Sequence, residues 1–170
     1  MNAFNKALAA DGKSALIPEE QNLYGRFVGE WDFTWVDGHG TPEERHIPGE
    51  WIFGWVLEGT AVQDVWICPS RAARKAKTYP DAAYGSTMRL YNPAKQAWDV
   101  FYGETGQAAL MEGRRQGDKI VQDGALDCGR RIRWVFSNVK DDSFHWEHLY
   151  SDDGGATWQL KGEMDLIRRR

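Results

Sequence analysis

The residues with most chemical potential stand together at His145-Trp146-Glu147-His148. Imidazole and carboxylate groups move protons near neutral pH and also hold metal ions, so their spacing decides which chemistry is open to them. Side chains alternate along a strand. His145 and Glu147 would therefore share a face, with Cα atoms about 6.5 Å apart, while His148 would point the other way. One ion cannot collect all three, and the helical H-E-x-x-H pattern is absent, so no metal is expected. What remains is a His145/Glu147 acid–base or hydrogen-bonding pair. The plainer alternative is that both groups stand in water, as His and Glu mostly do.

Arg89, Arg131 and Arg133 lie inside apolar runs rather than in turns. Facing outward they would bridge neighbours on the surface; facing inward each would need an acid such as Asp64 or Glu147, or an anionic ligand. Nucleophilic hydrolysis is disfavoured, because there is no G-x-S-x-G turn and Cys68 has no histidine in its local unit. Phosphate loops are absent too. Gly103-Glu104-Thr105-Gly106 reads as a hairpin turn.

The elements that must position these groups are strands. Alternating or apolar runs separated by short polar turns are predicted at 30–36, 49–57, 60–67, 84–91, 96–104, 107–115, 118–124, 130–138, 143–150 and 157–167. About ten strands joined by short turns form an up-and-down antiparallel meander, and closing it into a barrel removes its edges. A short helix is expected within 18–28, where Leu23, Phe27 and Val28 have helical spacing behind Glu19 and Glu20. Residues 1–17 are read as a flexible segment ahead of a single barrel domain spanning 18–170. The stretch 68–83 has no period and carries Arg71, Arg74, Lys75 and Lys77 against Asp81, so it is expected to lie over one mouth as a basic lid.

Length and composition narrow the classes further. At 170 residues one domain can bury a self-sufficient core. Two distant cysteines, Cys68 and Cys128, argue for reduced thiols rather than a disulfide framework. A net charge of −4 with dispersed basic residues argues against a nucleic-acid partner. Neither a signal-peptide pattern nor an 18-residue apolar run is visible, so a soluble, cytoplasmic chain without a membrane partner is expected. A small molecule is the expected partner, and a homodimer is left open. Nine tryptophans, with seven phenylalanines and six tyrosines, supply rings either to fill a core or to wall a cavity.

Two motifs carry resemblances. Gly29-Glu30-Trp31 resembles the G-x-W of the lipocalin (calycin) superfamily, which implies that Gly29 turns the chain into the first strand and that Trp31 plugs one barrel end. With 57–66, Arg89-Leu90-Tyr91-Asn92-Pro93, Trp98-Asp99-Val100 and Arg133-Trp134-Val135-Phe136, the chain from Phe27 onward is similar to a bacterial lipocalin-like family of unknown function. Nitrobindin-type haem barrels look similar in strand number, yet Trp31 is followed by Asp32-Phe33-Thr34 rather than by their glycine pattern. Haem would also need an axial ligand, with His145 the strand histidine considered, so no cofactor is expected. The second motif, Ser151-Asp152-Asp153-Gly154-Gly155-Ala156-Thr157-Trp158, resembles the Asp-box S-x-D-x-G-x-T-W. It occurs once and implies a hairpin cap built on Ser151, Asp153, Gly155, Thr157 and Trp158, not a propeller.

The resulting expectation is an all-β closed barrel that binds a small hydrophobic or aromatic ligand, with a preference for anions. Trp55, Arg89, Trp98, Arg133, His145 and Glu147 are the expected lumen-facing set. An enzyme using His145 and Glu147, and a barrel plugged by its own rings, are the alternatives.

Overall fold

A computed structural model of the chain describes residues 2–76, 83–126 and 128–170. Ten strands run in order: β1 Gly29–Asp37, β2 Arg45–Val56, β3 Ala61–Cys68, β4 Ala83–Asn92, β5 Ala97–Glu104, β6 Gln107–Gln116, β7 Lys119–Leu126, β8 Arg131–Ser137, β9 Ser143–Ser151 and β10 Gln159–Arg168. Each pairs antiparallel with its neighbours in sequence, and β1 pairs with β10 to close the barrel. Two short helices, α1 Ala3–Leu8 and α2 Arg71–Ala76, complete it. The short helix thus lies earlier than the sequence suggested. Across 18–28 the chain forms two separate 3-10 turns, Glu19–Gln21 and Gly25–Phe27. Asn22 breaks the run, because its side-chain oxygen accepts the Gly25 N–H at 3.2 Å, a local bond that competes with helix.

Because the strands alternate in direction, the connections leaving β1, β3, β5, β7 and β9 gather at one end and the others at the opposite end. The N-terminal segment crosses that opposite end. Residues 9–17, within the segment read as flexible, are held there: the Ala10 N–H donates to the Trp55 carbonyl, the Ser14 N–H to the Gly59 carbonyl, both at 2.9 Å, and Ile17 is buried. Further along, Tyr24 and Phe27 enter the barrel and are fully buried. Phe27 packs on Trp31, Phe53, Phe136 and Phe144 with ring centroids 4.7–6.5 Å apart. Gly113 leaves the room that Tyr24 needs, since a Cβ there would lie 2.2 Å from the Tyr24 hydroxyl.

Trp31 is buried at this closed end, its indole N–H donating to the Phe27 carbonyl at 2.7 Å. Outside it, the Arg168 guanidinium lies 4.2 Å from the Trp31 ring centroid and donates to the Val28 and Arg26 carbonyls. Gly29 enters β1 at φ +130°, and a Cβ on it would sit 2.7 Å from that guanidinium. Both the backbone angle and the close approach require glycine there.

At the other end the β9–β10 turn carries the Asp-box. The Asp153 carboxylate accepts the Thr157 N–H at 2.9 Å and its hydroxyl at 2.6 Å, while the Ser151 hydroxyl accepts the Gly155 N–H at 2.8 Å. Those hydrogen bonds, with Ser151 donating the largest, hold the Asp153 carboxyl well below its usual range. Trp158 lies on the outer wall under the Arg133 guanidinium, 4.3 Å from its ring centroid.

An aromatic cavity in the open half of the barrel

Register fixes which side chains share the lumen. Trp51 stands opposite Trp31 on one side and Trp66 on the other, Thr87 opposite Tyr102, Gln122 opposite Trp134, and Trp134 opposite His148. Directly opposed residues point to one face, so all of these point inward. The lumen divides into two halves along the barrel axis.

In the closed half Arg89 and Asp64 form a completely buried ion pair. The guanidinium also lies over the rings of Tyr24, Phe53 and Phe136 at 5.0–5.8 Å, and Asp64 accepts the Thr87 N–H. Tyr24 accepts a hydrogen bond from the Gln122 amide at 2.9 Å, and burial pushes its phenol up to about 12 despite the opposing Arg89 charge. The Trp98 indole N–H donates to the Gln21 carbonyl at 3.0 Å. Trp55 packs beside Gly25, where a Cβ would come within 2.5 Å of its ring.

The open half holds a cavity of about 200 Å³ that reaches solvent at the β1–β2 and β9–β10 end. Trp35, Trp51, Trp66, Trp134 and Trp146 wall it, with Thr87 and Tyr102 below and Asp37, Glu104, His148 and Lys161 around the mouth. These rings hold one another edge to face: Trp51 on Trp146, Trp35 on Trp66 and Tyr102 on Trp134 lie at 81–86°. Such tilting suits the ring quadrupoles. The indole N–H groups of Trp51, Trp66, Trp134 and Trp146 are buried and have no hydrogen-bond acceptor.

Burial pushes the His148 imidazole down to about 3, with the Lys161 ammonium acting in the same direction. It is neutral at physiological pH. Burial and then the Glu104 carboxylate raise the Tyr102 phenol, which stays protonated. Cys68 is buried as well, and its thiol is pushed up to about 12, a poor nucleophile.

The six residues expected to line a pocket are not brought together. Trp55, Arg89 and Trp98 face the lumen but lie in the closed half, beneath the N-terminal segment, and do not line the cavity. Arg133, His145 and Glu147 point outward. Arg133 pairs with Asp123 through two hydrogen bonds of 2.6 and 2.9 Å. His145 contacts Asp165 at 2.8 Å and Glu163 at 3.3 Å, and Glu147 stands opposite Glu163. The corrective signal was present in β8 and β9, because Ile132, Trp134 and Phe136 share one face and Phe144, Trp146 and His148 share another. Apolar periodicity sends those faces inward and carries His148 with them.

The described part of the segment expected as a basic lid, 68–76, is likewise directed elsewhere. Arg71 binds Glu50 on the outer wall through its guanidinium, twice at 2.8 Å, and through its backbone N–H at 2.7 Å. Those bonds draw the Glu50 carboxyl down to about 2 against the opposing effect of its burial. Arg74 donates to the carbonyls of Cys68, Pro69 and Ala83. The charges of Arg71 and Arg74 thus engage the protein itself, while Lys77 and Asp81 lie outside the described residues.

No known protein family and no curated protein matches the sequence. Among solved structures, Rv2717c from M. tuberculosis is similar with a TM-score of 0.64 at 10% identity, over 91% of this chain and 99% of that one. S-type phycobiliprotein lyase CPES from Guillardia theta is similar with a TM-score of 0.64 at 12% identity, over 90% of this chain and 94% of that one. The chain has the fold of these calycin-like barrels. At such identities the likeness is one of fold alone, so the calycin-like barrel supplies a scaffold and its site must be argued from its own residues. Among the described residues no helix is long and apolar enough to cross a membrane.

Proposed function

We propose that the open half of the barrel binds a small, flat, uncharged molecule of one or two rings that carries hydrogen-bond acceptors, and that the chain serves as its carrier or sensor. The observation that carries this reading is the set of four tryptophans around one cavity whose indole donors lack an acceptor. A buried donor without a partner costs about 1–3 kcal/mol; these nitrogens are closed off from solvent, so a ligand carbonyl or ring nitrogen would recover part of that cost by drawing one indole round to meet it. A cavity of about 200 Å³ is smaller than the roughly 300–1,000 Å³ of drug-sized pockets, which favours a compact ligand. At the mouth Asp37 is paired with the Arg45 guanidinium, Glu104 and Lys161 bring one charge of each sign, and neutral His148 adds none, so neutral molecules are favoured over anions.

A thermal-shift screen of one- and two-ring aromatic ketones, lactams and amides, followed by tryptophan-fluorescence titration, tests the reading. Hits should quench tryptophan emission and bind about 3- to 10-fold more weakly to Trp66→Phe and Trp134→Phe, the loss of one neutral hydrogen bond each. Hits whose affinity ignores both substitutions would overturn the assignment of the cavity. Haem belongs in the same screen, because His145 stands on the outer wall while His148 faces the lumen. A Soret shift abolished by His148→Gln would replace the small-ligand reading.

A further inference from the structure

On the outer wall, remote from the lumen, β9 and β10 place Glu147 directly opposite Glu163. Two carboxylates in direct cross-strand register repel each other, so this pairing is unfavourable unless positive charge lies between them. His145 supplies an imidazole to the same spot: one ligand atom each from His145, Glu147 and Glu163 can be chosen so that all lie within 4.8 Å of one another. His39, from the turn after β1, brings a second imidazole, its Nε2 2.6 Å from a Glu163 oxygen.

We propose that His145, Glu147, Glu163 and His39 form a binding site for a divalent transition-metal ion of the Zn²⁺ type. Imidazole and carboxylate ligands together suit Zn²⁺ and its first-row neighbours, whereas Mg²⁺ and Ca²⁺ prefer oxygen alone. Ligand atoms bound at about 2.0–2.2 Å to a tetrahedral ion stand about 3.3–3.6 Å apart. The separations among His145, Glu147 and Glu163 need to close by about an ångström, within reach of side-chain rotation, whereas His39 contacts Glu163 but lies outside that group and must swing in to become the fourth ligand.

A second observation points the same way. The other nitrogen of His145, Nδ1, contacts the Asp165 carboxylate at 2.8 Å, leaving Nε2 directed at Glu163 at 3.3 Å. A carboxylate on the far ring nitrogen is the arrangement that orients metal-binding histidines and raises their basicity. Asp165 is accordingly a positioning residue. Once His39 swings in as the fourth ligand the ion has no open position, so its role is structural, tying the turn after β1 to the β9–β10 hairpin beside the cavity mouth.

Titration of the full chain with Zn²⁺ by calorimetry, and with Co²⁺ followed by visible absorption, tests the proposal. The expected result is one saturable site with the d–d bands of tetrahedral cobalt, and slower hydrogen exchange through 38–44 when metal is added. Glu163→Gln, Glu147→Gln and His145→Ala should each weaken binding by about tenfold or more. Asp165→Asn should weaken it less. Because these side chains lie on the outer wall, circular dichroism can verify that each variant is folded. Absence of saturable binding, or binding that survives Glu163→Gln and depends instead on His46 or Cys128, would overturn the proposal.

Discussion

The same residue type meets opposite fates in the two halves of the lumen. In the closed half the indoles of Trp31 and Trp98 donate to the carbonyls of Phe27 and Gln21, so the N-terminal segment both fills the space and satisfies the donors. In the open half four indole donors have no acceptor and the rings wall a cavity instead of filling one. The chain itself fills one half, where Arg89 Nε and Nη2 and the Gln122 side-chain oxygen are buried polar atoms without a partner; the other half keeps its space open for something the chain does not supply. The difference shows that ring content alone does not distinguish a core from a binding site, whereas the partners of the indole donors, taken with the space left open, do.

The sharpest way to break this comparison is to strike the closed half. Asp64→Ala leaves the Arg89 guanidinium buried without its counter-charge and should cost about 3–5 kcal/mol in urea unfolding. The double variant Arg89→Met/Asp64→Leu should recover most of that loss. A double variant as unstable as the single one would show that packing, not charge, dominates there.

A smaller effect is expected from pH in the open half. The folded His148 imidazole resists protonation until about pH 3, whereas its ordinary value is 6.5. Between those values the unfolded chain binds more protons, so stability falls as pH drops through that window. The decline should reach about 1.6 kcal/mol between pH 6.5 and pH 5, its slope approaching about 1.36 kcal/mol per pH unit at the lower end, and should be largely absent in His148→Gln. An unchanged slope in that variant would mean that His148 is hydrated rather than buried.

The finest test exchanges one indole in each half for a benzene ring. Trp98→Phe removes a made hydrogen bond and leaves the Gln21 carbonyl with the Leu23 N–H alone, whereas Trp134→Phe deletes a donor that had no partner. Beyond the similar loss of ring area, Trp98→Phe should be the more costly by about 1 kcal/mol in thermal unfolding. Equal costs would erase the distinction between the halves.

How much of this was legible varies by strand. In β8 and β9 the apolar faces carrying Trp134 and Trp146 mark the inside, so the outward aim of Arg133, His145 and Glu147 could be read from alternation. In β4 it could not. There Thr87, Arg89 and Tyr91 face the lumen while Met88 and Leu90 face out, opposite to what hydrophobicity alone suggests. Arg89 can turn inward because Asp64 on β3 and the rings of Tyr24, Phe53 and Phe136 are there to receive it.

By itself the sequence determined the ten strands and their closure, because each rests on alternation, turn chemistry and short connections that act over a few residues. The Ser151-to-Trp158 turn was local in the same sense. Only the tertiary structure decided which end of the lumen is sealed and which side chains wall the cavity. Those outcomes depend on contacts such as Gln21 with Trp98 and Tyr24 with Gln122, 77 and 98 residues apart in the chain. The inward or outward phase of a strand is settled by what the other strands present to it, and no local pattern contains that information.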